Sequence, residues 1–352
     1  MFVRWSNLTL DAEERARLPG YRDPAAVRRF AAPEALDTRF YEVHAKSALN
    51  RVPEKSHMPF RWTVNPYRGC SHACTYCFAR PTHTYLGFDA GRDFEREIVV
   101  KVNAPEVLRV ELARASWKRE HVALGTNTDP YQWVEGRYRL MEGIWEALRD
   151  AANPCSVLTK SPLLLRDMQL MLQIAQRTSF TACLSIPTLD EKAWRATEPR
   201  TPNPRARLEA VAELNRAGIP TGVLIAPLMP GINDSPAQVQ ELLDAACAAG
   251  AVSIGGATLH LRGETRAVFM GWLAGHRPDL VERYRKLYRS GAYAPREERA
   301  RLEGMVRRGR PSDWRSRFAG TAARSGSATS AGPAPAGLLG EPAPAGRQES
   351  LF

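Results

Sequence analysis

The stretch that decides the reading is Asn65-Pro66-Tyr67-Arg68-Gly69-Cys70-Ser71-His72-Ala73-Cys74-Thr75-Tyr76-Cys77-Phe78. Its cysteines follow the spacing C-x3-C-x2-C. Three thiolates this close on one loop can ligate three irons of a [4Fe-4S] cluster, and no fourth cysteine lies nearby to close the site. One iron is then left open to chelate the amino and carboxylate groups of a methionine-derived cofactor, whose radical chemistry the protein would position. The competing reading is a structural zinc completed by His72 or by a distant ligand. Zinc ribbons and fingers normally pair two Cys or His knuckles, and this chain has no second knuckle.

Outward from that loop, short apolar or β-branched runs alternate with amphipathic segments of ten or more residues, beginning at Phe60. Strands are predicted at 61–64, 98–102, 122–125, 156–159, 180–186, 221–226 and 253–261, and helices at 104–119, 136–151, 163–176, 204–217, 236–249 and 264–274. This rhythm predicts an α/β fold with a parallel sheet, open or curled into a barrel. Chemistry in such folds sits at the C-terminal ends of the strands. Those ends carry the cysteine loop, Thr126-Asn127-Thr128-Asp129-Pro130, Lys160-Ser161, Pro187-Thr188, Pro227 and His260.

The remainder divides by composition. Residues 1–58 are Arg-rich without a clean period and read as an N-terminal extension packed on a core at 59–275. Residues 276–318 read as basic and helical. In 319–352, 25 of 34 residues are Ala, Gly, Pro, Ser or Thr, too little apolar surface to fold, so a disordered tail is expected.

Of the 352 residues 44% are apolar and 25% charged, which excludes wholesale disorder. No apolar run approaches the roughly 18 residues of a membrane span and no signal core opens the chain, so a cytoplasmic protein without membrane contact is expected. Six cysteines are too few for a disulfide scaffold. The formal charge is +11, of which +9 lies in 262–326, where 16 basic residues face 7 acidic ones. Such a face suits a polyanion, and equally a solvated Arg-rich helix surface. No Walker loop, GxGxxG after a strand, HExxH or GxSxG occurs, so nucleotide hydrolases, dehydrogenases, zinc proteases and serine hydrolases lack support.

The run NPYRGCSHACTYCF resembles the cluster loop of radical S-adenosylmethionine (radical SAM) enzymes, and its flank is most similar to the spore photoproduct lyase and DNA-repair-photolyase-like branch. The resemblance spans about residues 61–261. It implies a partial (β/α)6 barrel and a [4Fe-4S] cluster on Cys70, Cys74 and Cys77. It also implies S-adenosylmethionine cleaved to methionine and a 5'-deoxyadenosyl radical, and an electron donor such as flavodoxin or ferredoxin.

Carried over residue by residue, Thr128 and Asp129 resemble the lyases' C-T-S-D strand end, whose serine touches the cofactor. Lys160 resembles the lysine that pairs with the cofactor carboxylate, and Ser185 the serine of the next strand. An ammonium suits a carboxylate, and hydroxyls suit a ribose or amino acid. Two departures stand out. Thr126 occupies the place of the lyases' hydrogen-donor cysteine, which implies little reversal of spore photoproduct. Phe78 replaces a second tyrosine, which leaves Tyr76 as the loop's only phenol and its candidate catalytic residue.

Cys155, Cys183 and Cys247 read as core residues. Glu198-Pro199-Arg200 with Arg205 and Arg207 suits either cofactor or substrate charge or a helix-start salt bridge. Three functions stay open: a radical SAM enzyme acting on nucleic acid in a DNA-repair-like role, one acting on a small molecule or peptide, or a non-catalytic iron–sulfur protein.

The final residues Gln348-Glu349-Ser350-Leu351-Phe352 resemble the Q-x-x-L-F peptides with which bacterial repair and replication proteins bind the sliding clamp. Such peptides dock two adjacent apolar side chains in a pocket from a flexible tether. A peptide of residues 346–352 is expected to bind purified clamp with micromolar affinity and to lose it on joint Leu351→Ala and Phe352→Ala substitution. Binding isotherms check this.

Overall fold

The computed structural model describes residues 10–35, 37–56 and 58–310. The tail and its clamp-like residues Gln348, Leu351 and Phe352 lie outside the described residues, as does the stretch 311–318.

In chain order the elements begin with β1 (Leu10–Ala16), β2 (Ala25–Phe30), β3 (Arg39–Val43), β4 (Leu49–Arg51), β5 (Trp62–Val64) and β6 (Tyr67–Arg68). Next come α1 (Arg92–Arg96), β7 (Glu97–Lys101), α2 (Ala104–Leu112), β8 (Val122–Leu124), α3 (Glu135–Tyr138), α4 (Leu140–Asp150), β9 (Cys155–Thr159), α5 (Met168–Arg177) and β10 (Phe180–Ser185). The last are α6 (Glu191–Thr197), α7 (Pro204–Arg216), β11 (Thr221–Leu228), α8 (Pro236–Ala248), β12 (Ile254–Thr258), α9 (Thr265–His276), α10 (Val281–Leu287) and α11 (Arg296–Arg308).

Six strands, β5, β8, β9, β10, β11 and β12, lie side by side in sequence order and run parallel, with β4 antiparallel at the β5 edge. This is the expected partial (β/α)6 arrangement, an open sheet. Alternation along the strands decides which face is covered. Val157, Ala182, Leu184, Val223 and Ile225 are buried in the main core with Ile144, Leu148, Ile174, Val211 and Leu243 from the helices. Leu158, Cys183 and Leu224 on the opposite face are only half buried. Register places Cys183 beside Leu158 and Ser185 beside Leu224, so the less covered face also carries Ser185. Side-chain caps fix where the crossover helices begin: Asp190 accepts from Ala193 N at 2.7 Å, Asn203 from Arg205 N at 2.8 Å and Ser235 from Gln238 N at 3.2 Å.

Two features differ from the sequence reading. The strand read at 98–102 exists as β7, but it pairs with β3 and β6 in a second sheet of order β1-β2-β3-β7-β6. An apolar run shows that a strand is buried, not which sheet holds it. The segment read as lacking a period contains β1, β2, β3 and β4. In β2, for example, Ala25, Val27 and Phe30 are buried while the consecutive Arg28 and Arg29 are half buried and exposed, which breaks the apolar alternation. Among the described residues no helix is long and apolar enough to cross a membrane.

Trp145 anchors the core between α4 and the sheet. It has no exposed surface, donates Nε1 to the Tyr131 hydroxyl at 2.6 Å and meets the Phe180 ring edge-on at 5.6 Å. Trp145→Ala is expected to lower the free energy of unfolding by about 3–5 kcal/mol, as measured by urea denaturation.

Candidate active site

Only Asn65 and Pro66 separate β5 from β6, and the cysteine loop starts where β6 ends. Gly69 opens it at φ +82°, where a Cβ would lie 2.9 Å from the Phe94 carbonyl oxygen and 3.0 Å from the His83 ring, so no other residue fits. Beyond it the backbone is held mostly by side chains. Thr128 Oγ1 and Gln132 Nε2 donate to the Gly69 carbonyl at 2.6 and 3.3 Å, and Ser71 N donates to Gln132 Oε1 at 2.9 Å. Thr75 N donates to the Thr197 carbonyl at 3.0 Å, and Thr265 Oγ1 to the Cys77 carbonyl at 3.0 Å.

Arg80 is the deepest of these supports. It is fully buried and donates twice to the Cys74 carbonyl, at 3.1 and 2.9 Å. Its other bonds go to the carbonyls of Ala90 and Gly91 at 3.0 and 2.8 Å and to Glu95 Oε1 at 2.5 Å.

Cys70 and Cys74 are buried, Cys77 is half buried, and all three are free thiols. Burial, then the Glu198 charge, pushes the Cys74 thiol well above its ordinary range, and burial, then Cys70, raises Cys77 to about 11. The Cys74 and Cys77 thiols therefore stay protonated until something that binds thiolate takes the proton's place. Among the described residues no three His, Cys, Asp or Glu side chains converge on a single ion. The thiolates of a [4Fe-4S] cluster each take a different iron and need no such convergence, so a soft-donor set of three mutually close, water-poor thiols fits that group.

His72 Nδ1 lies 3.3 Å from Asp129 Oδ2. Burial opposes charge on His72, but Asp129 and then Cys70 overcome it and raise its pKa to about 10. Asp129 is held at about 2, because His72, Thr159 and the Lys160 amide outweigh its own burial. Its carboxylate accepts from Thr159 Oγ1 at 2.6 Å and Lys160 N at 2.7 Å. Thr128 and Asp129 thus bond within the protein, Thr128 to the cysteine loop and Asp129 to both that loop and the end of β9. Thr126 Oγ1 accepts from Asn65 Nδ2 at 3.4 Å.

The second constellation surrounds Glu198, just beyond α6. Its carboxylate has no exposed side-chain surface and accepts from Arg207 at 2.7 Å, Thr201 at 3.2 Å and the Tyr76 hydroxyl, with Lys160 Nζ at 3.1 Å. Lys160 Nζ also donates to Ser185 Oγ at 2.6 Å and sits 5.7 Å from the centre of the Tyr76 ring. Burial alone would raise the Glu198 carboxyl, yet Arg207 and then Lys160 hold it at about 2. Tyr76, Lys160 and Ser185 therefore meet beside the cysteine loop, while Arg200 and Arg205 are exposed and apart from it. Of the two readings of the 198–207 segment, a buried salt bridge between Glu198 and Arg207 is present. Arg80 and Gln132 carry no sequence signal, since each serves mainly backbone groups, Arg80 those of Cys74, Ala90 and Gly91 and Gln132 those of Gly69 and Ser71; Glu198 is visible only as one charge among several.

An open parallel sheet of six strands, with a loop of three neighbouring thiols beside the C-terminal ends at Thr128 and Lys160, defines a domain suited to a thiolate-bound cofactor. The chain belongs to the Radical SAM superfamily, whose family model matches residues 64–245. Members of this superfamily use a [4Fe-4S] cluster and S-adenosylmethionine. The chain is 50% identical over 289 residues to "Uncharacterized protein Rv2578c" of Mycobacterium tuberculosis, covering 82% of this chain and 85% of the relative. It is 27% identical over 195 residues to "Uncharacterized protein MJ0683" of Methanocaldococcus jannaschii, covering 55% and 69%. Among solved structures it shares its fold with spore photoproduct lyase complexed with dinucleoside spore photoproduct, at TM-score 0.57 and 17% identity over 77% of this chain and 78% of that one.

The depressed Glu198 pKa has a defined consequence. Its stabilisation is complete above the ordinary carboxyl value of 4.5 and is lost as pH falls toward about 2. Glu198→Gln is expected to flatten that stretch of the stability–pH curve, which urea titrations across the acid range would reveal.

Proposed function

We propose that this chain is a radical SAM enzyme that acts on nucleic acid, with Cys70, Cys74 and Cys77 as ligands of its [4Fe-4S] cluster. The observation that carries the reading is the pairing of three neighbouring thiols, two buried and one half buried, with a lysine ammonium held beside them. Once bound, the cluster and S-adenosylmethionine supply one-electron cleavage to methionine and a 5'-deoxyadenosyl radical, with flavodoxin or ferredoxin as the electron source.

The chain's own part is placement. Lys160, positioned by Ser185 and Glu198, would hold the cofactor carboxylate through a charge-assisted hydrogen bond. Ser185 and the strand end at Thr128 and Asp129 complete the cofactor's surroundings. Tyr76 has its hydroxyl on Glu198, so hydrogen donation by this phenol requires that bond to break first.

Support for a nucleic-acid substrate comes from the basic C-terminal third and the lyase-like fold. Part of that charge is internally matched: Arg277 pairs with Asp279, Arg283 with Glu298, Arg285 with Glu282, and Arg301 with Asp234 and Glu298. Exposed pairs of this kind are weak and leave the face available to phosphates. The clamp-like tail adds a DNA-associated partner to the same reading.

Anaerobic reconstitution with iron and sulfide, followed by dithionite and S-adenosylmethionine, is expected to yield 5'-deoxyadenosine, with more formed in the presence of DNA or tRNA than of small-molecule pools. Lys160→Ala should keep its iron and weaken S-adenosylmethionine binding by about 1.5–3 kcal/mol, roughly 10- to 150-fold. Unchanged affinity would remove Lys160 from the cofactor site.

A further inference from the structure

Phe78 follows Cys77 directly and is 52% exposed, one of three exposed large hydrophobic side chains among the described residues. It is not on a loose tip. Thr265 fixes the Cys77 carbonyl before it, and Ala79 after it is buried. Its ring centre lies 5.8 Å from that of His260, which lies 5.6 Å from that of Tyr293.

His260 and Tyr293 face each other across an antiparallel bridge, with Leu261 N bonded to the Ala292 carbonyl at 2.7 Å. Bridge partners share one side of the pleat, so the backbone itself lines up the two rings. Two guanidiniums flank the row: Arg262 lies 5.1 Å and Arg299 5.9 Å from the centre of the Tyr293 ring. Neither has a carboxylate within ion-pair distance among the described residues, unlike the neighbouring Arg283, Arg285 and Arg301. His260 Nδ1 and the Tyr293 hydroxyl are buried without hydrogen-bond partners.

Rings in a fixed row with unpaired arginines beside them are suited to unstacked bases and the phosphates that join them. Every base has a π face, and a guanidinium neutralises a phosphate without reading sequence. A duplex offers such a row nothing, because its base faces are already stacked. Resting on the nucleic-acid reading above, we propose that Phe78, His260 and Tyr293 form a stacking platform for unpaired nucleobases. Arg262 and Arg299 take the adjoining phosphates, and the platform delivers a single-stranded or flipped-out base to the cysteine loop.

The test is fluorescence anisotropy of the full-length protein with labelled oligo-dT, oligo-rU and a duplex of matched length. The wild type is expected to prefer the single strands, and the dT and rU arms separate DNA from RNA. Phe78→Ala and Tyr293→Ala should each weaken single-strand binding about 5- to 150-fold, while Phe78→Tyr stays near wild type. Arg262→Ala should lower the slope of log affinity against log salt by about one. Thermal melts identify any variant that fails to fold. Independently of variants, 2-aminopurine within a single strand should be quenched when it stacks on the wild-type platform. Wild-type binding to single strands with no quenching, and with unaltered affinity in both alanine variants, overturns the platform and leaves the nucleic-acid reading standing. No wild-type binding to any of the three probes overturns both.

Discussion

The guanidinium of Arg80 is buried completely, and its five hydrogen bonds bind the Cys74 carbonyl to the chain segment at Ala90, Gly91 and Glu95. The cysteine loop is neither helix nor strand, so its carbonyls and amides need partners from elsewhere. Burying an arginine is costly unless every donor is matched, and here every donor is. Gln132, Thr128, Thr197 and Thr265 do the same for Gly69, Ser71, Thr75 and Cys77. The site is rigid because its supports come from several elements that the sheets have already fixed in place.

The same logic governs the charged group at Glu198. One carboxylate with no exposed surface gathers Arg207, Lys160, Thr201 and the Tyr76 hydroxyl. Removing any member would leave an unmatched charge or dipole in a water-poor setting, so the group behaves as a unit. Its effect is to hold Lys160 in one rotamer beside Ser185, with the ordering entropy of a long side chain already offset by folding.

Much of this was legible in the residues. The cysteine spacing and the strand–helix rhythm are local patterns, and both are present in the fold. Lys160 and Ser185 stood out only through their place at strand ends and a family likeness. Arg80 and Gln132 were invisible, because most of their partners are backbone groups and no spacing advertises a bond to a carbonyl or an amide. β7 was readable as a strand but not as a member of the second sheet, since Ile98, Val99 and Val100 are buried in either setting. β1 to β3 were missed because arginine-bearing strands lack the apolar alternation that marks a half-buried sheet.

The dipeptide Asn65-Pro66 joins strands of different sheets, and Lys101 N bonds the Pro66 carbonyl while Asn65 receives the Asn127 amide. This junction works as a spacer of fixed length. One residue added or removed there would shift the pleat by one step and turn Tyr67 away from Glu135, the partner that its hydroxyl meets at 2.5 Å. The phase of the first sheet relative to the second, and with it the direction the thiols face, is set by two residues.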